Sequence, residues 1–304
     1  MTGHRCWRLM PIVAMATTVA VGGCGLSGST ASSPRGGKVE VVAAENFWGS
    51  IATQVGGDHA HVTSIITNPD TDPHAYEAKP DDAKMVASAK YVIVNGAGYD
   101  AWLPKLLEAN PVAGRQVLTV GDILGKKAGD NPHFWYSPDY VTQVIDRITA
   151  DLKKLDTADA VYFDQQNSTY KTLGLKDYKD TIATTMAKFA GTPVGATESI
   201  FVYMSRALGL NLITPPDYMK AISEGTDPSA ADKATIDQQI ATKAIKVLVF
   251  NSQNTTPDVN AFVDKAKARG IQVSSLTETL SPAGTTFQDW QTAQLKALLK
   301  ALRG

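Results

Sequence analysis

Short apolar segments alternate with amphipathic segments along most of the chain. The apolar segments are five to seven residues long and rich in β-branched side chains, which predicts buried strands. The amphipathic segments repeat apolar residues at helical spacing. Strands are predicted over residues 38–44, 61–66, 91–96, 116–120, 192–197, 246–252 and 271–276, and helices over 47–55, 81–89, 101–109 and 287–302. This alternation predicts mostly parallel sheets with helices on both faces.

A longer amphipathic stretch interrupts this rhythm near the middle of the chain. Ser137 followed by Pro138 is typical of a helix N-cap with proline at the first helical position. Apolar residues then recur at helical spacing, and helical sequence continues to about residue 189. We therefore predict an α/β fold of two β/α lobes, over residues 38–136 and 166–304, joined by a long helix over 137–165. In such folds the ligand crevice forms at the carboxyl ends of the strands.

The amino terminus has a different composition. Residues 1–23 begin with charged positions, continue with an apolar run over residues 9–21, and end in small residues, which is typical of a secretory signal peptide. The run is too short to span a bilayer, which needs about 20 apolar residues. The sequence Val21-Gly22-Gly23-Cys24 resembles a bacterial lipobox, in which Cys24 becomes the acylated first residue. Residues 24–37 are rich in Gly and Ser and predict a flexible tether.

Charge and cysteine content limit the possible partners and the possible metal ligands. The 304 residues carry a formal net charge of −1, which argues against nucleic acid as a partner. The two cysteines are Cys6 and Cys24. Cleavage before Cys24 removes Cys6, so the mature chain can form no disulfide and offers no thiolate ligand. Any metal site must then use histidine and carboxylate side chains.

Four histidines remain after cleavage. His59 and His61, in GGDHAHV, are predicted to be solvated surface residues because a Gly-Gly-Asp turn precedes them. His74 and His133 each follow a proline, in DPH and NPH, at the end of a β/α unit. Proline stiffens the backbone there, and both loops are expected at the carboxyl ends of strands. Each histidine taken alone is more typical of packing or capping than of metal binding.

Two motifs carry a family resemblance. The segment DPHAYEAKPDDAKMVASAKYVIVNGAGYDAWL resembles the amino-lobe signature of the zinc/manganese solute-binding lipoproteins of ABC importers. NPHFWYSP resembles the second histidine motif of that family, usually NPHxWLDP, with Tyr136 and Ser137 where Leu and Asp are usual. The similarity runs from about Val39 to the carboxyl terminus.

The resemblance implies a set of metal ligands. His74 and His133 match the two histidine motifs, and Glu198, in ESIFVY, matches the third ligand position. Zinc-type members carry His at that position and manganese-type members carry Glu. Glu278 stands at the fourth position, where the family normally has Asp. Two neutral imidazoles and two carboxylates balance a divalent ion, and this donor set favours Mn²⁺, with Zn²⁺ as the close alternative.

The predicted function follows from the anchor and these ligands. We expect a monomeric extracytoplasmic lipoprotein, held at the cell membrane through Cys24, that binds Mn²⁺ or Zn²⁺ and delivers it to the membrane permease of an ABC importer. A metal-dependent hydrolase is the main alternative, but the sequence has no HExxH or GxSxG motif, so no catalytic residue is expected. An adhesin-type surface lipoprotein also fits the anchor, although it leaves the histidine pair unexplained.

Overall fold

Two parallel sheets organise the chain. The computed structural model describes residues 37–69, 71, 73 and 76–304. The sheet of the amino-terminal lobe has the strand order β2-β1-β3-β4, and all of its strand pairs are parallel. Its strands are β1 (Val39–Glu45), β2 (Ala60–Ile66), β3 (Tyr91–Val94) and β4 (Gln116–Thr119). The predicted strands of this lobe lie within two residues of these bounds.

Helices cover both faces of the first sheet, as its apolar strands require. They are α1 (Asn46–Gly56), α2 (Pro80–Ser88), α3 (Trp102–Ala109) and α4 (Val120–Ile123). Alternate residues of β1 face opposite sides: Val41 packs in the cluster that contains α1, whereas Val42 packs with Val86 of α2 and Leu103 of α3. Because both faces are buried, β1 is an almost continuous apolar run rather than an alternating one.

The long helix between the lobes is α5 (Pro138–Leu155). It begins as predicted, since the Ser137 side chain accepts a hydrogen bond from the backbone N–H of Tyr140. The helix ends at Leu155, and Asp156 has non-helical dihedral angles of φ −135° and ψ 84°. The prediction of a helix that continues to residue 165 was therefore wrong. The chain continues through α6 (Ala160–Thr169), a short π-helix (Tyr170–Gly174) and α7 (Lys176–Phe189). The domain boundaries stay predictions.

The carboxyl-terminal lobe repeats the architecture of the first. Its sheet has the order β6-β5-β7-β8, again entirely parallel. The strands are β5 (Pro193–Ala196), β6 (Asn211–Leu212), β7 (Val247–Asn251) and β8 (Gln272–Leu276). The helices are α8 (Val202–Ala207), α9 (Pro216–Ser223), α10 (Ala230–Ala241), α11 (Pro257–Ala268) and α12 (Phe287–Arg303). Within the described part of the chain, no helix is long and apolar enough to cross a bilayer.

Candidate metal centre

Three of the four predicted ligands converge where the two lobes meet. His133, Glu198 and Glu278 are all buried, and each offers one ligand atom within 4.8 Å of the others. His133 Nε2 lies 3.7 Å from Glu278 Oε1. One imidazole and two carboxylates at these separations are a donor set that a divalent transition ion accepts. The fourth predicted ligand, His74, lies outside the described residues.

The loops at the carboxyl ends of the strands place these side chains. Glu198 follows β5 and precedes a short 3₁₀ turn, and Glu278 follows β8 by two residues. His133 comes from the amino-terminal lobe, directly before the 3₁₀ turn Phe134–Tyr136 that leads into α5. Because the strands of each sheet are parallel, their carboxyl ends share one edge, and side chains distant in sequence meet there.

Asn131 fixes the orientation of the His133 ring. The Asn131 side-chain nitrogen donates to the carbonyl of Ser199 at 2.8 Å, so the Asn131 oxygen must face His133. That oxygen lies 2.8 Å from His133 Nδ1 and can only accept, which places the hydrogen on Nδ1. The lone pair is then on Nε2, the nitrogen directed toward Glu278. Tyr203 holds the same loop by donating to the Asn131 carbonyl at 2.9 Å.

Asn251, at the end of β7, holds the two carboxylates together. Its side-chain nitrogen donates to Glu198 Oε1 at 2.7 Å and to Glu278 Oε1 at 3.0 Å. Its side-chain oxygen accepts from the backbone N–H of Gln253 at 2.9 Å, which fixes the amide orientation. The sequence prediction missed Asn251, although an asparagine that ends a buried apolar strand was the available signal.

Further donors occupy the other carboxylate oxygens. Asn254 donates to Glu198 Oε2 at 2.8 Å, and Tyr99, from the amino-terminal lobe, donates to Glu278 Oε2 at 2.6 Å. A carboxylate oxygen has two acceptor positions, so each oxygen can accept one of these hydrogen bonds and still face an ion. Such outer partners orient ligands and tune their basicity. The sequence prediction missed Tyr99 and Asn254 as well.

Two further buried carboxyl groups, Glu45 and Asp100, lie beside the site. Burial, reinforced by Asp100 and Glu278, raises the pKa of Glu45 well above its ordinary value. Burial also raises the pKa of Asp100 to about 6, although the backbone N–H groups of Gly96 and Asn95 hydrogen-bond its carboxylate and oppose the rise. Asp100 thereby orders the loop that carries Tyr99. A cation bound nearby would favour the ionised form of both carboxyl groups and oppose the rise in their pKa.

A cavity of about 390 Å³ lies between the lobes next to the buried ligands. Tyr99, Asn131 and Ser199 line it, and each of them contacts a ligand residue or neighbours one in sequence. Its lining includes the acidic residues Asp130, Asp217 and Glu224, against the single lysine Lys220. The cavity therefore has an excess of acidic side chains and lies beside the three converging side chains, which do not themselves line it.

The two remaining histidines differ from each other. His61 is 63% exposed and lies 2.7 Å from Glu40, as a solvated surface residue should. His59 is only 2% exposed, so the prediction of a solvated residue was wrong for it. Gly57, with φ of +49°, turns the chain sharply after α1 and brings His59 under Tyr162, with ring centroids 4.2 Å apart. Glycine has access to that conformation at little cost, and the sequence gave no sign of the aromatic cover.

A family model described as the periplasmic component A of zinc-uptake complexes matches residues 41–301. The chain belongs to this family. Membership confirms the predicted class, a substrate-binding component of a metal-ion importer that works outside the cytoplasm, and it makes the chain a binding protein rather than an enzyme. The hydrolase and adhesin alternatives gain no support from the family.

Relatives and solved structures agree with this assignment. The chain is 24% identical to the manganese-binding lipoprotein MntA of Bacillus subtilis (strain 168), over 97% of this chain and 99% of that protein. It is 25% identical to the manganese ABC transporter substrate-binding lipoprotein PsaA of Streptococcus pneumoniae serotype 4, over 73% and 75%. The periplasmic zinc-binding protein TroA of Treponema pallidum has the same fold, with a TM-score of 0.72, 19% identity, and coverage of 88% of this chain and 99% of TroA.

Proposed function

We propose that the chain captures one divalent transition metal ion between its lobes and delivers it to the permease of an ABC importer. The proposed ligands are His133, Glu198, Glu278 and His74. The observation that supports this most strongly is the convergence of a buried imidazole and two buried carboxylates, each held by its own side-chain donors. Such prior positioning lowers the ordering cost when the ion binds.

The charge of the site suits a divalent ion. Two carboxylates and neutral imidazoles carry a charge of −2, which a divalent cation neutralises. Neutrality limits the desolvation penalty that a buried ion would otherwise incur. A univalent ion would leave a buried negative charge, and an anionic solute would meet two carboxylates.

We propose Mn²⁺ as the physiological ion, with Zn²⁺ as the second candidate. A site that contains carboxylates suits Mn²⁺ better than a site built only from nitrogen ligands. Two glutamates can also raise the coordination number above four. The manganese-binding names of the relatives MntA and PsaA support this choice, whereas the family description and TroA name zinc. Sites built from nitrogen and oxygen ligands generally bind Zn²⁺ more tightly than Mn²⁺. The ion bound in the cell therefore depends on the concentrations of both ions as well as on their affinities.

The test is metal binding by the purified chain after chelator treatment. Calorimetric titration with Mn²⁺ and with Zn²⁺ should show one tight site, and His133→Gln and Glu198→Gln should each weaken its affinity at least about 10-fold. Replacing a residue that only hydrogen-bonds a metal ligand already lowers metal affinity by about that factor. His61→Gln is the matched control, because His61 is exposed and lies near the start of β2, whereas the site forms at the carboxyl ends of the strands. Equal affinities in wild type and both site variants would refute the proposal.

We also propose that acylated Cys24 anchors the chain and that residues 24–37 tether a monomeric binding domain to the membrane. The relatives' description as lipoproteins supports this proposal. In a bacterial host the wild-type chain should fractionate with membranes, and Cys24→Ala should release it or block its processing. Acylated, membrane-bound Cys24→Ala protein would contradict the anchor.

A further inference from the structure

A second group of metal-ligating side chains lies at the amino-terminal ends of the strands of the first sheet, opposite the site between the lobes. His59 ends the 3₁₀ turn Gly57–His59 and directly precedes β2, whereas Asp156 and Asp159 lie in the turn between α5 and α6. His59 Nδ1 is 2.9 Å from Asp159 Oδ2 and 3.9 Å from Asp156 Oδ2. We infer that these three residues form a second binding site for a divalent transition metal ion, independent of the site between the lobes.

The ligand separations match the bond lengths of such an ion. With metal–ligand bonds of about 2.1 Å, two ligands lie about 3 Å apart at right angles and about 4.2 Å apart on opposite sides. The distances of 2.9 Å and 3.9 Å fall at or within these limits. One imidazole and two carboxylates suit Mn²⁺ or Zn²⁺. Asp156 and Asp159 are 19% and 17% exposed, so the group lies near the surface although two of its ligand atoms are buried.

The alternative explanation is a simple ion pair between a protonated His59 and Asp159. A hydrogen bond needs the N–H to point at its acceptor. Among the described residues, neither His59 Nδ1 nor Asp159 Oδ2 has a hydrogen-bond partner, although both atoms are buried and lie 2.9 Å apart. A buried polar atom without a partner is costly. A shared metal ion satisfies both atoms at once, because each then directs a lone pair to the ion rather than a hydrogen to the other.

The surroundings hold the imidazole in place. The Tyr162 ring packs on the His59 ring at 4.2 Å between centroids, and Phe163 meets it edge-on at 6.0 Å. The Tyr162 hydroxyl accepts from the backbone N–H of Asp58 at 2.9 Å, which fixes the turn. A side chain at Gly57 would collide with that hydroxyl, since an added Cβ would lie 2.1 Å from it. The histidine is thus positioned before any ion arrives.

The ion would tie the carboxyl-terminal ends of α1 and α5 together. Both helices begin near the site between the lobes: Asn46 at the start of α1 accepts from the backbone of Leu280 at 3.1 Å, and α5 follows the His133 turn. At about 1.5 Å per residue, the 11 residues of α1 separate the two sites by about 16 Å. We therefore assign the second ion a structural role, in which it braces the two helices that support the first site.

The experiment counts ions per chain by equilibrium dialysis against Mn²⁺, and separately against Zn²⁺. A background chain carrying His133→Gln and Glu198→Gln removes the site between the lobes, so the remaining ion reports on the second site alone. This background should bind one ion. Asp159→Asn or Asp156→Asn added to it should abolish that binding, whereas His61→Gln should not. Neither aspartate position is fully buried, and the Asp159 side chain makes no helix-capping hydrogen bond, so these variants should fold.

Circular dichroism and the melting temperature of each chelator-treated chain confirm that the variants fold. No bound ion in the background chain would overturn the inference, as would an ion retained by both aspartate variants or lost equally in His61→Gln. A chain that carries Asp159→Asn but keeps His133 and Glu198 reports on the first site in the same dialysis. Failure of the second site can therefore be distinguished from failure of the first.

Discussion

Asn251→Asp removes the donor that holds the two glutamates together and leaves the size of the side chain unchanged. In the wild-type chain the buried Asn251 nitrogen donates to both Glu198 and Glu278. Aspartate can donate to neither when ionised, and it adds a third negative charge to two that already lie close together. The metal-free chain should therefore be strongly destabilised. A bound divalent ion should offset part of this loss, because it lowers the net charge of the cluster from −3 to −1.

The expected size follows from the two bonds lost. A hydrogen bond to a charged group contributes about 1.5–3 kcal/mol, so losing two costs about 3–6 kcal/mol before repulsion is counted. The carboxyl cluster of the variant can relieve this repulsion by binding a proton. Binding that proton costs about 1.4 kcal/mol for each unit by which the pH lies above the pKa of the cluster, and this cost sets an upper limit on the repulsion. At about 2.1 cal/mol/K of unfolding entropy per residue, each kcal/mol lowers the melting temperature of a chain of 304 residues by about 1.6 °C. A fall of at least about 5 °C is expected for the metal-free variant.

The assay is thermal unfolding in chelator and again in saturating Mn²⁺. Asn260→Asp is the matched control, since it makes the same chemical change at an exposed position of α11. It should shift the free energy of unfolding by no more than about 0.5 kcal/mol. The reasoning fails if metal-free Asn251→Asp melts with wild type, or if Mn²⁺ leaves the difference between them unchanged.

Three further predictions concern the surroundings of the site. Burial raises the pKa of Glu45 above 4.5, so wild-type stability should fall as pH rises from 4.5 toward the raised value, by up to about 1.4 kcal/mol per pH unit. Glu45→Gln should remove this slope in chemical unfolding of the metal-free chain, and parallel curves would contradict it. The Tyr136 hydroxyl donates to the Thr277 carbonyl beside Glu278 at 2.8 Å. Tyr136→Phe should cost about 1–3 kcal/mol of unfolding free energy but keep metal binding, and an unchanged melting temperature would refute that role. X-ray scattering should show little compaction on metal binding because α5 links the lobes rigidly, and a large decrease in radius of gyration would count against it.

Much of the architecture could be predicted because burial on both faces makes parallel strands continuous apolar runs. The runs over 38–44, 246–252 and 271–276 became β1, β7 and β8 within one residue at each end. The strand β6 was missed, since two residues carry no detectable pattern. The break after Leu155 was also missed, because helical spacing resumes in α6 and hides four non-α residues.

The site was predictable in part, and through different information. Histidine after proline, with the family motifs, pointed to His133, and the structure brings Glu198 and Glu278 to it. Whether these residues and His74 bind the ion stays a prediction. The outer donor Tyr99 was missed because its role arises only from tertiary proximity: Tyr99 and Glu278 are 179 residues apart in sequence. His59 was misjudged for the same reason, since the rings that bury it belong to α6.

Anomalous diffraction at the manganese edge, from crystals of the Mn²⁺-loaded chain, tests the central claim most directly. The account predicts a strong peak between the lobes, about 2.0–2.3 Å from His133 Nε2 and from carboxylate oxygens of Glu198 and Glu278, with His74 completing the protein ligands. A chain saturated with Mn²⁺ that shows no ion among His133, Glu198 and Glu278 would contradict it.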